Sequence, residues 1–138
     1  MYKKSITYID FDGIERTDDF YFNLTPAEIV ELDNSEIGGL ENFLNKIINE
    51  EDNVQIVKMF KQFILMAYGE KSPDGRRFIK SKELSDAFSQ TQAYSDLFIE
   101  LASDANSAAE FVNGVCASIQ KNPNRMSLMS AASGAVQR

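Results

Sequence analysis

The sequence predicts an α+β fold, mainly helical, with an N-terminal β-hairpin followed by about six short-to-medium helices around a central apolar helix. Three observations carry this prediction. Residues 3–24 are two runs of strand formers separated by Asp12-Gly13, a strong short-range hairpin signal. Residues 25–121 instead repeat apolar residues every three or four positions between capping residues, the period of amphipathic helices. A chain of 138 residues, 43% hydrophobic and 11% aromatic, can bury one core without metals or disulfides.

The hairpin comes first. A two-residue type I′ turn at Asp12-Gly13 places Phe11 opposite Ile14, Ile9 opposite Arg16 and Ser5 opposite Phe20. One face then collects Ile9, Phe11, Ile14, Phe20 and Phe22, and the other shows Ile6, Tyr8 and Tyr21. A lone hairpin is marginal in water, so the apolar face must rest on helices or on another chain.

Thr25-Pro26-x-Glu28 then writes a helix start: an N-cap threonine, proline at the first helical position and a glutamate closing a capping box. This short helix buries Ile29 and Leu32 and stops near Gly38-Gly39. The second helix carries Leu40, Phe43, Leu44, Ile47 and Ile48 at helical spacing. Glu50-Glu51-Asp52 ends it and offers acids to the next N-terminus, where the macrodipole favours them.

The third helix, about residues 53–68, is the most apolar. Only Gln55, Lys58, Lys61 and Gln62 form a polar stripe, so this helix is expected at the centre of the core. Gly69 is read as its C-terminal stop. Residues 70–80 are expected as a polar loop with a Ser72-Pro73-Asp74-Gly75 turn, ending in Phe78-Ile79. Ser81, Thr91 and Asp104 then start three further helices, the last rich in small and apolar residues up to Ile119. Asn122-Pro123-Asn124 breaks it. The expected organisation is one globular domain over 1–121 and a flexible basic tail over 122–138, with no internal repeat and no linker.

Composition excludes several classes of function. Histidine is absent, which removes the commonest general base, metal ligand and pH switch. The single cysteine, Cys116, has no partner for an internal disulfide and points to a reducing cytoplasm. The longest apolar run, Phe63 to Tyr68, is far short of the roughly 20 residues of a membrane span, and the N-terminus lacks a signal-peptide pattern. A soluble protein with no membrane partner is expected.

Charge is uneven. The net charge is −7, with every acid lying in residues 1–120 and Lys121, Arg125 and Arg138 alone charged after that. An acidic body argues against nucleic acid as a partner. The basic tail either reaches an acidic surface of another protein, a second copy of this chain included, or does nothing.

No catalytic, cofactor or metal site is legible, and the protein is expected not to be an enzyme. The two Asp-Gly sites fail as calcium loops: with Gly75 in the sixth position, Ser81 falls where a bidentate glutamate is needed, and with Gly13 there, Tyr8 falls in the first. No nucleophile motif and no phosphate-binding glycine loop is present. Cys116, among apolar neighbours, reads as a small core residue. Arg76-Arg77 stand beside no aromatic groove.

What remains is an interaction reading. The hairpin bears aromatic residues on both faces, Phe78-Ile79 end a polar loop, and methionine suits adaptable contacts. The candidate partner-binding residues are Tyr8, Tyr21, Phe22, Phe78, Ile79, Met126, Leu128 and Met129. For Phe78 and Ile79, folding back onto the core is the equal alternative.

Several stretches together carry a family resemblance. They are Asp12-Gly13-Ile14-Glu15-Arg16-Thr17 with Phe20-Tyr21-Phe22-Asn23-Leu24-Thr25, then Ala67-Tyr68-Gly69-Glu70-Lys71-Ser72-Pro73-Asp74-Gly75-Arg76-Arg77-Phe78, then Phe88-Ser89-Gln90-Thr91-Gln92-Ala93-Tyr94 and Phe111-Val112-Asn113-Gly114. In this order and spacing they resemble the tail assembly chaperone family of tailed bacteriophages and prophages. The resemblance implies a non-catalytic protein without cofactors. Such a protein binds the tape measure protein, helps recruit tail tube subunits during virion morphogenesis, and works in the host bacterial cytoplasm. It would be absent from the mature virion, and homo-oligomerisation is left open. The alternative is a structural minor tail or connector component of the virion.

Overall fold

The computed structural model describes residues 1–32, 39–49 and 53–117. Strands β1 (Tyr2–Ile9) and β2 (Glu15–Phe22) are followed by helices α1 (Pro26–Glu31), α2 (Leu40–Asn49) and α3 (Asn53–Ala67). Strands β3 (Tyr68–Lys71) and β4 (Phe78–Ile79) come next, then α4 (Lys82–Ser89), α5 (Gln92–Ser103) and α6 (Ala105–Val115). The α+β class and the N-terminal hairpin are as predicted. The sheet, however, has four antiparallel strands in the order β1-β2-β3-β4, so the polar loop expected over residues 70–80 is a second hairpin. Three helices are thus inserted between neighbouring strands β2 and β3.

The first hairpin corrects the predicted register. Its turn is a three-residue loop, not a two-residue one. Asp10 N–H donates to the Ile14 carbonyl at 2.9 Å, Gly13 N–H donates to the Asp10 carbonyl at 2.9 Å, and Gly13 has φ +80°. This is a type I turn closed by a left-handed residue, the G1-bulge connection, for which glycine carries no Cβ penalty. The Asp10 carboxylate braces it by accepting from Asp12 N–H and Ile14 N–H, both at 2.9 Å, and from Arg16 Nε. The extra loop residue moves every pair by one: Ile9 faces Glu15, Ser5 faces Asp19 and Tyr2 faces Phe22.

Because side chains alternate with a period of two, that single step exchanges the faces of β1 relative to β2, while Phe20 and Phe22 of β2 keep the core side. Tyr2, Ile6, Tyr8, Phe20 and Phe22 turn to the core, and Ile9, Phe11 and Ile14 are exposed at the tip. Facing the core, Lys4 Nζ reaches Glu100 Oε2 on α5 at 2.9 Å. On the outward face, Ser5 bonds Asp19, and Thr7 bonds Thr17 at 2.8 Å.

Helix starts follow the local chemistry. Thr25 and Glu28 form the capping box, with Glu28 N–H donating to Thr25 Oγ1 at 3.2 Å and Thr25 N–H to Glu28 Oε1 at 2.9 Å. Ser81, Thr91 and Asp104 accept from the N–H groups of Leu84, Tyr94 and Asn106 at 3.0–3.1 Å. Each such cap satisfies a backbone donor the helix leaves open, and removing one costs about 1 kcal/mol.

Helix α3 buries Met59, Phe60, Phe63, Ile64 and Ala67, while Val57 is exposed. Its end differs from the prediction. Gly69 is no helix stop: α3 runs straight into β3, and Gly69 lies within that strand. A Cβ at Gly69 would sit 2.7 Å from the Ile79 carbonyl oxygen and 2.7 Å from the Phe78 ring, so glycine is there to let β4 approach.

The core is a continuous series of phenylalanine rings. Phe43 meets Phe60 and Phe63 at 5.0 and 5.2 Å, Phe63 meets Phe111 at 6.1 Å, and Phe111 meets Phe22 at 5.1 Å. Each ring buried from water contributes roughly 2–3 kcal/mol, and the edge-on contacts about 1 kcal/mol more. Two backbone bonds latch the segment after β2 onto helix ends: Asn23 N–H to the Ala67 carbonyl at 2.9 Å, and Leu24 N–H to the Val115 carbonyl at 3.3 Å. Expectations for Gly38, Glu50-Glu51-Asp52, Ile119 and the 122–138 tail fall outside the described residues. Among the described residues no helix is long and apolar enough to cross a membrane.

Candidate functional site

The sheet opens where β3 leaves β2. Only two β3 residues pair with β2, Tyr68 with Phe22 and Gly69 with Tyr21. Glu70 and Lys71 turn instead to Ile79 and Phe78 of β4. Between the diverging strands lies an open cleft of about 470 Å³, lined by Asp18, Asp19, Phe20, Tyr21, Tyr68, Gly69, Glu70 and Lys71.

The hydrogen-bonded pair at Asp10 and Ile14 sets the phase of the β1–β2 ladder. In an antiparallel pair, bonded and unbonded positions alternate. Even-numbered residues of β2 therefore bond to β1, and odd-numbered ones direct N–H and C=O the other way. Tyr21 spends those groups on Gly69. Asp19 lines the cleft, and no described strand pairs with Asp19 or Thr17 on that side of β2. This is an edge, and an open edge invites another strand.

The cleft is aromatic inside and acidic at the rim. Phe20 and Tyr68 lie 6.5 Å apart between centroids, and both touch buried Phe88. Tyr8 continues the row at 6.4 Å from Phe20, its hydroxyl donating to Asp18 Oδ2 at 2.6 Å. That hydrogen bond, with burial and the Asp18 charge adding to it, holds the Tyr8 phenol above its ordinary pKa. Burial, with Glu70 adding to it, raises that of Tyr68. Three carboxylates, Asp18, Asp19 and Glu70, line the cleft with one ammonium, Lys71, and Lys3 Nζ lies 4.0 Å from Asp19 Oδ2.

The predicted partner residues separate into three groups. Tyr8 and Tyr21 are half-buried at or beside this cleft. Phe22 is fully buried, in ring contact with Tyr68, Phe88 and Phe111; it is a core residue, because the apolar face it was expected to share rests on the helices of this same chain. Phe78 and Ile79 form β4 and are half-buried, with Lys80 Nζ 5.8 Å from the Phe78 centroid. That ammonium also binds the Asn23 carbonyl at 2.7 Å and Glu28 Oε2 at 2.9 Å. Met126, Leu128 and Met129 lie outside the described residues.

The hairpin tip supplies residues the sequence reading placed inside. Phe11 is 79% exposed, and Ile9 and Ile14 are 52% exposed. Asp10 with Asp12 and Gly13 two and three positions on was the available signal, since it fits a type I turn with a left-handed glycine as well as a two-residue loop.

Cys116 is buried at the end of α6, and burial pushes its thiol up to about 12. No group of three or more Cys, Asp or Glu side chains placed to hold a metal ion occurs among the described residues.

No curated protein and no solved structure matches the chain. The family model described as phage tail assembly chaperone matches residues 1–132. With all but the last six residues so matched, the chain belongs to the phage tail assembly chaperone family.

Proposed function

We propose that this protein is a non-catalytic chaperone that binds the tape measure protein of its phage and helps recruit tail tube subunits. It would act in the cytoplasm of the bacterial host and leave before the virion is complete. Membership of the family, over residues 1–132, is the observation that carries the reading. Two features of the chain support it. Ile9, Phe11 and Ile14 present an apolar tip on a braced turn, and Tyr8 and Tyr21 extend half-buried aromatic surface along the hairpin. A holding chaperone needs apolar surface for its client and net charge for solubility; the chain carries −7. Phe78 and Ile79, and Met126, Leu128 and Met129 beyond the described residues, belong to the same proposed contact surface.

Co-expression tests the reading. The protein is expected to raise the soluble yield of the tape measure protein and to co-purify with it. The triple variant Ile9→Ser, Phe11→Ser, Ile14→Ser should lose most of that gain while melting as the parent does. No gain from the parent protein sinks the proposal, and so does its stoichiometric presence in purified virions, which mass spectrometry would detect.

A further inference from the structure

We propose that the turn between β3 and β4 is a docking point for an acidic segment of a partner protein, with the guanidinium groups of Arg76 and Arg77 as its contacts. No residue assigned above to the tape measure contact takes part, so the inference goes beyond that reading.

Charge singles out the turn. The net charge of the chain is −7. Yet Lys71, Arg76, Arg77, Lys80 and Lys82 fall within residues 71–82 against one acid, Asp74, with Glu70 and Glu83 at the flanks. The three lysines are already engaged. Lys80 Nζ binds the Asn23 carbonyl and Glu28, Lys82 Nζ lies 2.7 Å from Asp86 Oδ2, and Lys71 lines the cleft with Asp18, Asp19 and Glu70. Arg76 and Arg77 are exposed, and neither has an ion pair among the described residues. Arg16, by contrast, is held by Asp10.

Asp74, the acid within the turn, is spent on its framework. Its Oδ1 accepts from Ser72 Oγ at 2.7 Å and from Arg76 N–H at 3.0 Å. Buried Ser72 closes the other side: its N–H donates to the Arg77 carbonyl at 2.8 Å, and its Oγ accepts from Arg77 N–H at 3.0 Å. Gly75, at φ +75°, donates its N–H to the Ser72 carbonyl at 2.9 Å. The two arginines therefore stand on a backbone that is fixed before any partner arrives, and such preorganisation lowers the cost of binding.

Carboxylates are the anions this pair fits. A guanidinium presents a planar fork of N–H donors that matches a carboxylate two bonds at a time. Two adjacent forks suit two acids close in sequence. Nucleic acid fits less well, because its binding draws on many neutralised phosphates and single strands also stack on exposed rings. Phe78, next in sequence, is half-buried with Lys80 Nζ 5.8 Å from its centroid. A long polyanion would also meet Asp18, Asp19 and Glu70 at the neighbouring cleft, offset only by Lys3 and Lys71.

A titration of the full chain with hexaglutamate, followed by amide and arginine side-chain NMR, tests the site. At about 20 mM salt the peptide should shift the signals of residues 72–78 in a saturable way, and about 200 mM salt should weaken binding several-fold. The variant Arg76→Gln, Arg77→Gln should keep the parent spectrum elsewhere and bind at least about tenfold more weakly. Arg76→Lys, Arg77→Lys should fall between, since it keeps the charge and loses the fork. No shift at the turn, undiminished binding by the glutamine variant, or tighter binding of a short oligothymidylate than of hexaglutamate overturns the proposal. The titration contains no tape measure protein, so its failure leaves that reading standing, and failure of co-expression leaves this one.

Discussion

Tyr68 and Phe88 stack face to face, their ring centroids 4.3 Å apart and their planes 9° from parallel. The pair joins the first residue of β3 to α4. Phe88 also meets Phe20, Phe22 and Tyr94 at 5.2–5.8 Å, so one ring ties two strands to two helices. Phe88→Ala should therefore cost about 3–5 kcal/mol, read as a lower urea midpoint. Phe88→Leu, which keeps most of the volume, should cost less than half as much. Equal losses would show that stacking, and not filled volume, dominates this contact.

Two glycines should respond oppositely to the same substitutions. Gly13 has φ +80° with open space around it, so only its backbone conformation resists a side chain. Gly13→Ala should cost about 1–2 kcal/mol, and Gly13→Asn less, since asparagine tolerates the left-handed region. Gly69 has the Ile79 carbonyl and the Phe78 ring in the way. There Ala should cost about 1–3 kcal/mol by overpacking and Asn more. Chemical denaturation of the four variants checks the reversed order.

Acid should destabilise the protein through named carboxylates. The Arg16 guanidinium and the Ile14 N–H lower Asp10, Ser72 and the Arg76 N–H lower Asp74, and Ser107 and the Asn106 N–H lower Asp104. For Glu28, burial pushes upward, but Lys80 and the Thr25 cap outweigh it and the net direction is down. Groups lowered by folding contribute stability above the ordinary carboxylate range, and it is lost as pH falls through their folded-state values. The urea midpoint should be flat from pH 7 to about 5 and drop below pH 4. Glu28→Gln should narrow that drop, and a variant as acid-sensitive as the parent would refute the assignment.

Cys116 should be inert in the folded state. Burial raises its thiol to about 12, so almost no thiolate exists at pH 8. Its reaction with a thiol reagent should follow global unfolding and accelerate in urea in parallel with loss of the circular dichroism signal. Rapid modification of the native protein would place the thiol at the surface.

The helix starts at Thr25, Ser81, Thr91 and Asp104 were legible because a cap acts over two or three residues. Strands β3 and β4 were not. They hold four and two residues within a polar, turn-rich stretch, and β3 is a strand because Gly69 meets Tyr21, 48 positions earlier. The same limit hid the cleft, whose two walls come from residues 18–21 and 68–71.

By itself, the sequence determined the α+β class, the presence of a hairpin around Gly13, the helix starts, the absence of histidine and the family resemblance. All of these are local chemistry or composition. Only the tertiary structure decided which side of β1 is buried together with Phe20 and Phe22. Asp12-Gly13 accommodates a loop of two residues or of three, and the two loops set opposite sides of β1 beside Phe20 and Phe22. The choice falls to packing: with three, Tyr2, Ile6, Phe20 and Phe22 close onto the core, where Tyr2 and Phe22 meet Phe111 and Phe20 and Phe22 meet Phe88. Phe11 is then left in water at the tip.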